Sequence, residues 1–242
     1  MTALQTILME AQGLLPMLES FDREALLAVN GSDSLFLDRV AHVLTTAITW
    51  VPLYVSLFIV VLRNNENFRK VLMILGAAGL CVLLAGTVDD LIVKPTIARW
   101  RPTHDPVIGA AVDVVDGYRG GRYGFFSAHA ANTFSIAIFF CWLIRSRLLS
   151  TAMIIWSLTN CWTRLYLGVH FPGDILVGLT WGFLVGTIVY FLFYRLTRNM
   201  TSGRRLISSQ YTSTGYQHKD CDIPVVVLVF TLVFALIKSC IL

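Results

Sequence analysis

The chain is predicted to be all-α, a six-span transmembrane helix bundle with an N-terminal amphipathic segment and one polar loop facing outward. Three observations carry this prediction. Of 242 residues, 56% are hydrophobic and only 14% are charged, with mean hydropathy +0.68; soluble domains run near a quarter charged. Six apolar runs are long enough to cross a bilayer, which takes roughly 17–25 residues. Three polar clusters interrupt these runs near their ends, where a membrane chain meets water. The length suits one domain, 1–242. Within it, 1–39 reads as a surface segment, 196–222 as a cytoplasmic connection and 223–242 as the last span.

Residues 1–20 hold no basic leader, and Pro16 and two acids interrupt their apolar run, so they do not read as a cleavable signal. Residues 1–30 read as one amphipathic surface helix or two short ones. The spans follow at about Val40–Leu62, Val71–Val93, Ala128–Ile144, Leu149–Gly168, Asp174–Tyr194 and Ile223–Ile241. The third is short and the fourth is the most polar.

Lys/Arg placement orients the bundle, because basic connections stay in the cytoplasm. Arg63, Arg69 and Lys70 lie in one connection, Arg145 and Arg147 in another, and Arg195, Arg198, Arg204, Arg205 and Lys219 in a third. The first 39 residues set six acids against Arg23 and Arg39, which suits the outside. Residues 95–127 and the "HFPGD" corner at 170–174 then face outward together. Insertion of residues 4–20 would move the N-terminus inside and leave that placement unchanged. The outward loop carries Arg99, Arg101, Arg119 and Arg122, with Lys94 at its edge. Positive charge on the translocated side asks for an anionic partner.

The net charge of +4 comes without a dense Lys/Arg block, so no nucleic-acid partner is expected. Cys81, Cys141, Cys161, Cys221 and Cys240 form no CxxC or Cys/His pattern and read as small buried hydrophobes. No metal or cofactor is expected.

The first polar cluster is "KPTIARWRP", Lys94 to Pro102. Lys94 and Arg101 are seven residues apart, two helical turns, so they can share a face and clamp an anion. The plainer reading is basic residues snorkelling to headgroups, with Asp90 pairing Lys94 across one turn. The second is "YGFFSAHAANTF", Tyr123 to Phe134. Ser127 sits where an N-cap belongs, which leaves the N–H groups of Ala128, His129 and Ala130 at the positive end of a helix. Its plainer reading is a capped helix with an interfacial histidine. The third is "TRLYLGVHFPGD". Arg164 ends an apolar span, where a cation is costly and usually functional. Pro172 suits the first position of a helix, which makes Phe171 the cap and puts Asp174 third. A carboxylate there can bond one nitrogen of His170 and leave the other free to attack. Alone, this cluster reads as a capped turn.

Together the clusters supply two histidines, one carboxylate, three cations and one helix N-terminus. Acyl transfer has no use for three cations, and a metal site wants more ligands at coordinating spacing. Phosphoryl transfer needs cations for the equatorial oxygens, a nucleophile and an acid for the leaving group.

These residues resemble the three signature motifs of the type 2 phosphatidic acid phosphatase superfamily, which spans membrane lipid phosphatases and soluble vanadium haloperoxidases. "KPTIARWRP" matches its first motif, a lysine, six residues, then Arg-Pro. "FSAH" keeps the serine and histidine of Pro-Ser-Gly-His, with Phe126 for proline and Ala128 for glycine. "TRLYLGVHFPGD" matches Ser-Arg, five residues, His, three residues, Asp, with Thr163 for serine. The motifs run from 94 to 174. The resemblance implies that His170 forms a phosphohistidine, that Asp174 orients it, and that His129 protonates the leaving oxygen and then activates water. It implies that Lys94, Arg101, Ser127, Arg164 and the Ala128 N–H hold the phosphoryl oxygens, without a metal. The departures remove no charged or proton-transferring group.

The "THDP" after Arg-Pro and "RGGRYGF" before Ser127 look like the bacterial branch. The expected substrate is an anionic lipid at the outer face of the inner membrane: undecaprenyl diphosphate, a lipid A phosphate, phosphatidylglycerol phosphate or phosphatidate. His104, Arg119 and Arg122 could contact a second phosphate, though a flexible Gly-rich loop is the plain reading of 117–124. A rival of another class is an anionic-lipid binder or transporter, which would need the cations but not the His170–Asp174 pair. A haloperoxidase-like oxidation is a second rival, against which the apolar spans count.

Overall fold

The computed structural model describes residues 16–198 and 209–241. Residues 1–15 of the expected 1–30 surface segment, residues 199–208 of the connection and residue 242 lie outside the described residues. Helical residues 16–27 (α1) are followed by α2 (Leu35–Thr45), α3 (Val51–Arg63), α4 (Phe68–Val88) and the short α5 (Lys94–Ile97). Then come α6 (Ala128–Ile144), α7 (Arg147–Tyr166), α8 (Pro172–Thr197) and α9 (His218–Ile241). The described residues contain two isolated bridges and no longer strand, so the protein is all-helical.

Three helical stretches are long and apolar enough to cross a membrane: Phe68–Ile97, Pro172–Thr197 and His218–Ile241. A bent pair, Leu35–Thr45 with Ala47–Arg63, makes a fourth if it counts as one span. The expected span at Val40–Leu62 falls on this pair, whose two halves meet at 68°. The break has a local cause. Thr46 leaves the helix at φ −79°, ψ 123°. The hydroxyls of Thr46 and Thr49 donate to the carbonyls of His42 and Val43, at 2.8 and 2.6 Å, and so satisfy acceptors that the next turn would have used. By length and composition α6 and α7 fall outside that set. α6 is short, and α7 buries Ser157, Asn160 and Arg164.

α6 is the axis of the bundle. Eleven of its 17 residues are buried, as expected of a helix that is apolar all round. It packs most closely on α8, where Gly178, Gly182 and Gly186 form a seam. A Cβ at these positions would lie 2.7, 2.6 and 2.5 Å from the carbonyl oxygens of Ser127, Ala131 and Ser135. Small residues four apart let two membrane helices touch through their backbones. α4 and α7 flank α6, and α9 covers α3, α2 and α7. Cys81, Cys161 and Cys221 are buried as expected; Cys141 is half-buried, and Cys240 is exposed near the end of α9, a correction to its reading as a core residue.

Candidate active site

The starts of α6 and α8, the end of α7 and residues 94–124 meet at one end of the bundle. Ser127 is the N-cap of α6, and its Oγ accepts from the Ala130 N–H at 3.4 Å. Its own N–H donates to the Asp174 carbonyl at 3.1 Å, which fixes the start of α6 against the start of α8. The first N–H groups of a helix have no acceptor within it. Those of Ala128 and His129 thus stand at the positive end of α6.

α8 begins as the sequence implied. Phe171 is the N-cap, Pro172 opens the helix, and Asp174 Oδ2 accepts from the Phe171 N–H at 3.0 Å. That oxygen is 3.5 Å from His170 Nδ1. The other ring nitrogen, Nε2, is 3.0 Å from Arg101 Nη1. A guanidinium has only N–H donors, so Nε2 accepts and the ring proton sits on Nδ1, which is buried near Asp174 without a hydrogen-bond partner among the described residues. His170 is 1% exposed. Burial, then the charges of Arg101, Arg164 and Lys94, hold its pKa well below the ordinary 6.5. The ring is a neutral base with Nε2 as its basic atom.

Arg101 reaches His170 by a route that the sequence did not suggest. The helix face expected to carry both Lys94 and Arg101 is not there. Ala98 turns left-handed at φ 50° and ends α5. Residues 99–101 then run beside 122–124: Trp100 bridges Tyr123, Gly124 N–H donates to the Arg99 carbonyl, and Arg101 N–H donates to the Arg122 carbonyl. Arg101 Nε donates to the Tyr123 carbonyl and Nη1 to the Val169 carbonyl, both at 3.1 Å. Gly124 makes this possible: a Cβ there would lie 2.9 Å from Arg101 Cγ. Gly120, at φ +66°, packs on the same guanidinium. The 117–124 stretch is therefore pinned along one side of the site.

Lys94 lies 2.7 Å from Asp89 and 2.6 Å from Asp90. The Asp90 pair was legible in the sequence; the Asp89 contact needs a π-helical turn over Asp89–Val93, in which Lys94 N–H bonds the Asp89 carbonyl. Such a turn brings residues five apart together, and it is common at functional sites. Arg164 donates to the hydroxyls of Thr45 (2.6 Å) and Tyr118 (3.1 Å), and its Nε is buried without a partner. His129 is half-buried one residue into α6, where the charges of Arg164, His170, Arg101 and Lys94 all bear on it.

The charges do not balance. Lys94 pairs with Asp89 and Asp90, and Arg99 with Asp174 and Asp22. Among the described residues, Arg101 and Arg164 pair with no carboxylate; their partners are carbonyls, hydroxyls and one imidazole. They are 9% and 3% exposed, and their mutual repulsion, after burial, lowers the pKa of Arg101. Buried cations without a counter-charge are expensive. This end of the bundle is built to take an anion.

His104, Arg119 and Arg122 make their contacts elsewhere. His104 Nδ1 meets the Thr103 hydroxyl at 3.1 Å, Arg119 donates to the Thr103 carbonyl at 3.3 Å, and Arg122 stacks 4.3 Å from the Trp100 ring. Both arginines are exposed. The sequence reading missed Arg99, Asp22, Asp89, Tyr118 and Thr45. Arg99 was visible only as loop charge, and no spacing rule ties Asp22 or Thr45 to residues so far along the chain.

The fold and the three motifs define a class. The PAP2 superfamily model matches residues 69–198, more than half of the chain and all three motifs, and the chain belongs to the PAP2 superfamily. Among curated proteins it is 36% identical over 190 residues to a lipid A 4'-phosphatase of Bacteroides thetaiotaomicron, covering 78% of this chain and 84% of that protein. It is 35% identical over 171 residues to a lipid A 4'-phosphatase of Porphyromonas gingivalis, covering 70% of this chain and 71% of that protein. No solved structure matches the chain.

One substitution tests the packing of the loop on Arg101. Gly124→Ala is expected to lower phosphatase turnover roughly 10- to 100-fold, because small displacements of a positioning group cost that much. Gly121→Ala, where an added Cβ meets nothing within 4 Å, is expected to leave turnover unchanged. Phosphate release from the two purified variants gives the comparison.

Proposed function

We propose that this chain, a bacterial membrane lipid phosphatase, removes a phosphate from lipid A by way of a phosphohistidine on His170. The observation that carries the reading is the pair of buried cations without carboxylates, Arg101 and Arg164, flanking a histidine whose Nε2 is unprotonated. A phosphate dianion supplies two negative charges where two positive charges lack them. Lys94, Ser127 and the Ala128 N–H would hold further oxygens. Nε2 attacks phosphorus, the bond to the lipid oxygen breaks, and His129 gives that oxygen its proton. His129 then takes a proton from water, hydroxide attacks phosphorus, and phosphate leaves His170 as it was. Asp174 stays ionised and holds the Nδ1–H through both steps.

The names of the curated relatives favour lipid A over undecaprenyl diphosphate, phosphatidylglycerol phosphate and phosphatidate. The proposal includes six spans, with α2–α3 as the first and α6 and α7 as the third and fourth, and the site on the periplasmic side of the inner membrane. His104, Arg119 and Arg122 are proposed headgroup contacts at the water-facing rim. A panel of the four lipids with the purified protein tests the substrate. Lipid A is expected to give the highest kcat/KM, and turnover to persist in EDTA. Preference for another lipid would reassign the substrate; loss in EDTA restored by a divalent ion would sink the metal-free route.

A further inference from the structure

A relay of charge leads away from His170 on the side opposite its attacking nitrogen. Asp174 is fully buried and uses both oxygens: Oδ2 accepts from the Phe171 N–H and lies 3.5 Å from His170 Nδ1, just outside a hydrogen bond, and Oδ1 accepts from Arg99 Nη1 at 2.7 Å. Arg99 Nη2 donates to Asp22 Oδ2, also at 2.7 Å. Asp22 Oδ1 accepts from the Gly173 N–H at 2.8 Å. The Arg99 guanidinium carbon lies 4.4 Å from the centre of the Phe171 ring. α1 therefore grips both the arginine and the first turn of α8, on either side of the carboxylate that faces the histidine.

We infer that Arg99 and Asp22 are positioning residues for the phosphoryl transfer: Asp22 sets Arg99, Arg99 sets Asp174, and Asp174 sets the His170 ring. This rests on the reading of His170 as the nucleophile. As the Nε2–P bond forms, positive charge grows on the ring and Nδ1–H turns into a stronger donor. The carboxylate is useful there only if it does not rotate. A carboxylate bonded through Oδ2 alone can swing about its Cβ–Cγ bond; a charge-assisted bond to Oδ1 removes that freedom. Neither Arg99 nor Asp22 needs to touch the substrate: Arg99 donates through Nη1 and Nη2 to two carboxylates.

The test is steady-state phosphate release from lipid A in mixed micelles by the full-length protein, with thermal unfolding of each variant alongside. Arg99→Met is expected to lower kcat on the order of 10- to 100-fold, the usual range for a residue that orients a reacting group from behind, with KM within about twofold. Arg99→Lys is expected to recover part of the loss, and Asp22→Asn to lose less than Arg99→Met. In an Asp174→Asn background, Arg99→Met is expected to cost less than about twofold more, because its effect runs through Asp174. Three outcomes overturn the inference: an Arg99→Met enzyme with full kcat, one whose loss lies in KM, or one that loses the same factor with and without Asp174. Arg99→Lys and Asp22→Asn carry the test if Arg99→Met does not fold. If the wild-type protein releases phosphate from none of the four lipids, or His170→Ala keeps full turnover, the phosphatase mechanism falls and the relay with it; activity on another of the four moves the same test to that lipid. The relay alone falls when wild type is active, His170→Ala is dead and Arg99→Met is not impaired.

Discussion

His170→Ala is expected to lower phosphate release on the order of 10,000-fold or more, the size of loss seen when a nucleophile that works as a unit with its neighbours is removed. The geometry says why the residue is hard to replace. Nε2 is the atom left basic when the proton sits on Nδ1; Arg101 donates to it, and the charge of Arg164 also bears on the ring. Wild-type protein quenched during turnover with lipid A labelled in its phosphate should retain acid-labile label, and His170→Ala should retain none. Label on His129 instead would exchange the proposed roles of the two histidines. The same ring makes stability depend on pH. Its folded-state pKa is below 6.5, so as the pH falls past 6.5 the unfolded chain takes up a proton that the folded chain does not. Stability is therefore lost below pH 6.5 and retained above it. His170→Asn is expected to flatten that part of the pH–stability curve.

Gly182→Leu is expected to destabilise the fold by about 1–3 kcal/mol or more, as overpacking of a tight interface does, and to abolish most activity as well. A Cβ at 182 would sit 2.6 Å from the Ala131 carbonyl oxygen and 3.1 Å from the Ser135 nitrogen. Both neighbours are backbone, so no rotamer change relieves the contact and α6 must move off α8. The bond from Ser127 N–H to the Asp174 carbonyl closes the same seam. Pushing the helices apart thus shifts the anion-facing end of α6 away from His170. Gly79→Ala is the control. It lies on the same class of helix with nothing within 4 Å of an added Cβ, and it should gain up to about 1 kcal/mol from helix propensity. Thermal unfolding in detergent together with turnover distinguishes the two. A Gly182→Leu protein as stable as wild type would mean that the seam does not hold the bundle together.

Much of this was legible in residues near one another in sequence. The caps at Ser127 and Phe171 follow from short-range rules for helix starts, and both stand where those rules put them. The reach of Asp174 back toward His170 is likewise a matter of three or four residues. What the sequence concealed was long-range or backbone-specific. Arg101 was expected on a helix face and arrives instead on a strand-like loop, because Ala98 turns left-handed and 122–124 pair with 99–101. Nothing in residue type announces an alanine at positive φ. The pairing of Arg99 with Asp174 and Asp22 spans most of the chain, and charge counting placed Arg99 among loop cations without a partner. The bend at Thr46 was hidden because hydropathy sees the apolar run and not the hydroxyls that end its first half.

The bond between Arg101 and His170 Nε2 has a consequence for selectivity. At rest, the lone pair that would attack is engaged by a cation, and both are buried. Freeing it takes something that Arg101 prefers to imidazole, which means negative charge. In the proposed mechanism, a neutral electrophile of the right shape has no means of drawing the guanidinium away, whereas a phosphate would unlock His170 as it docks. On that mechanism, discrimination against uncharged reagents would be an interlock between two side chains, set before any part of the lipid is read.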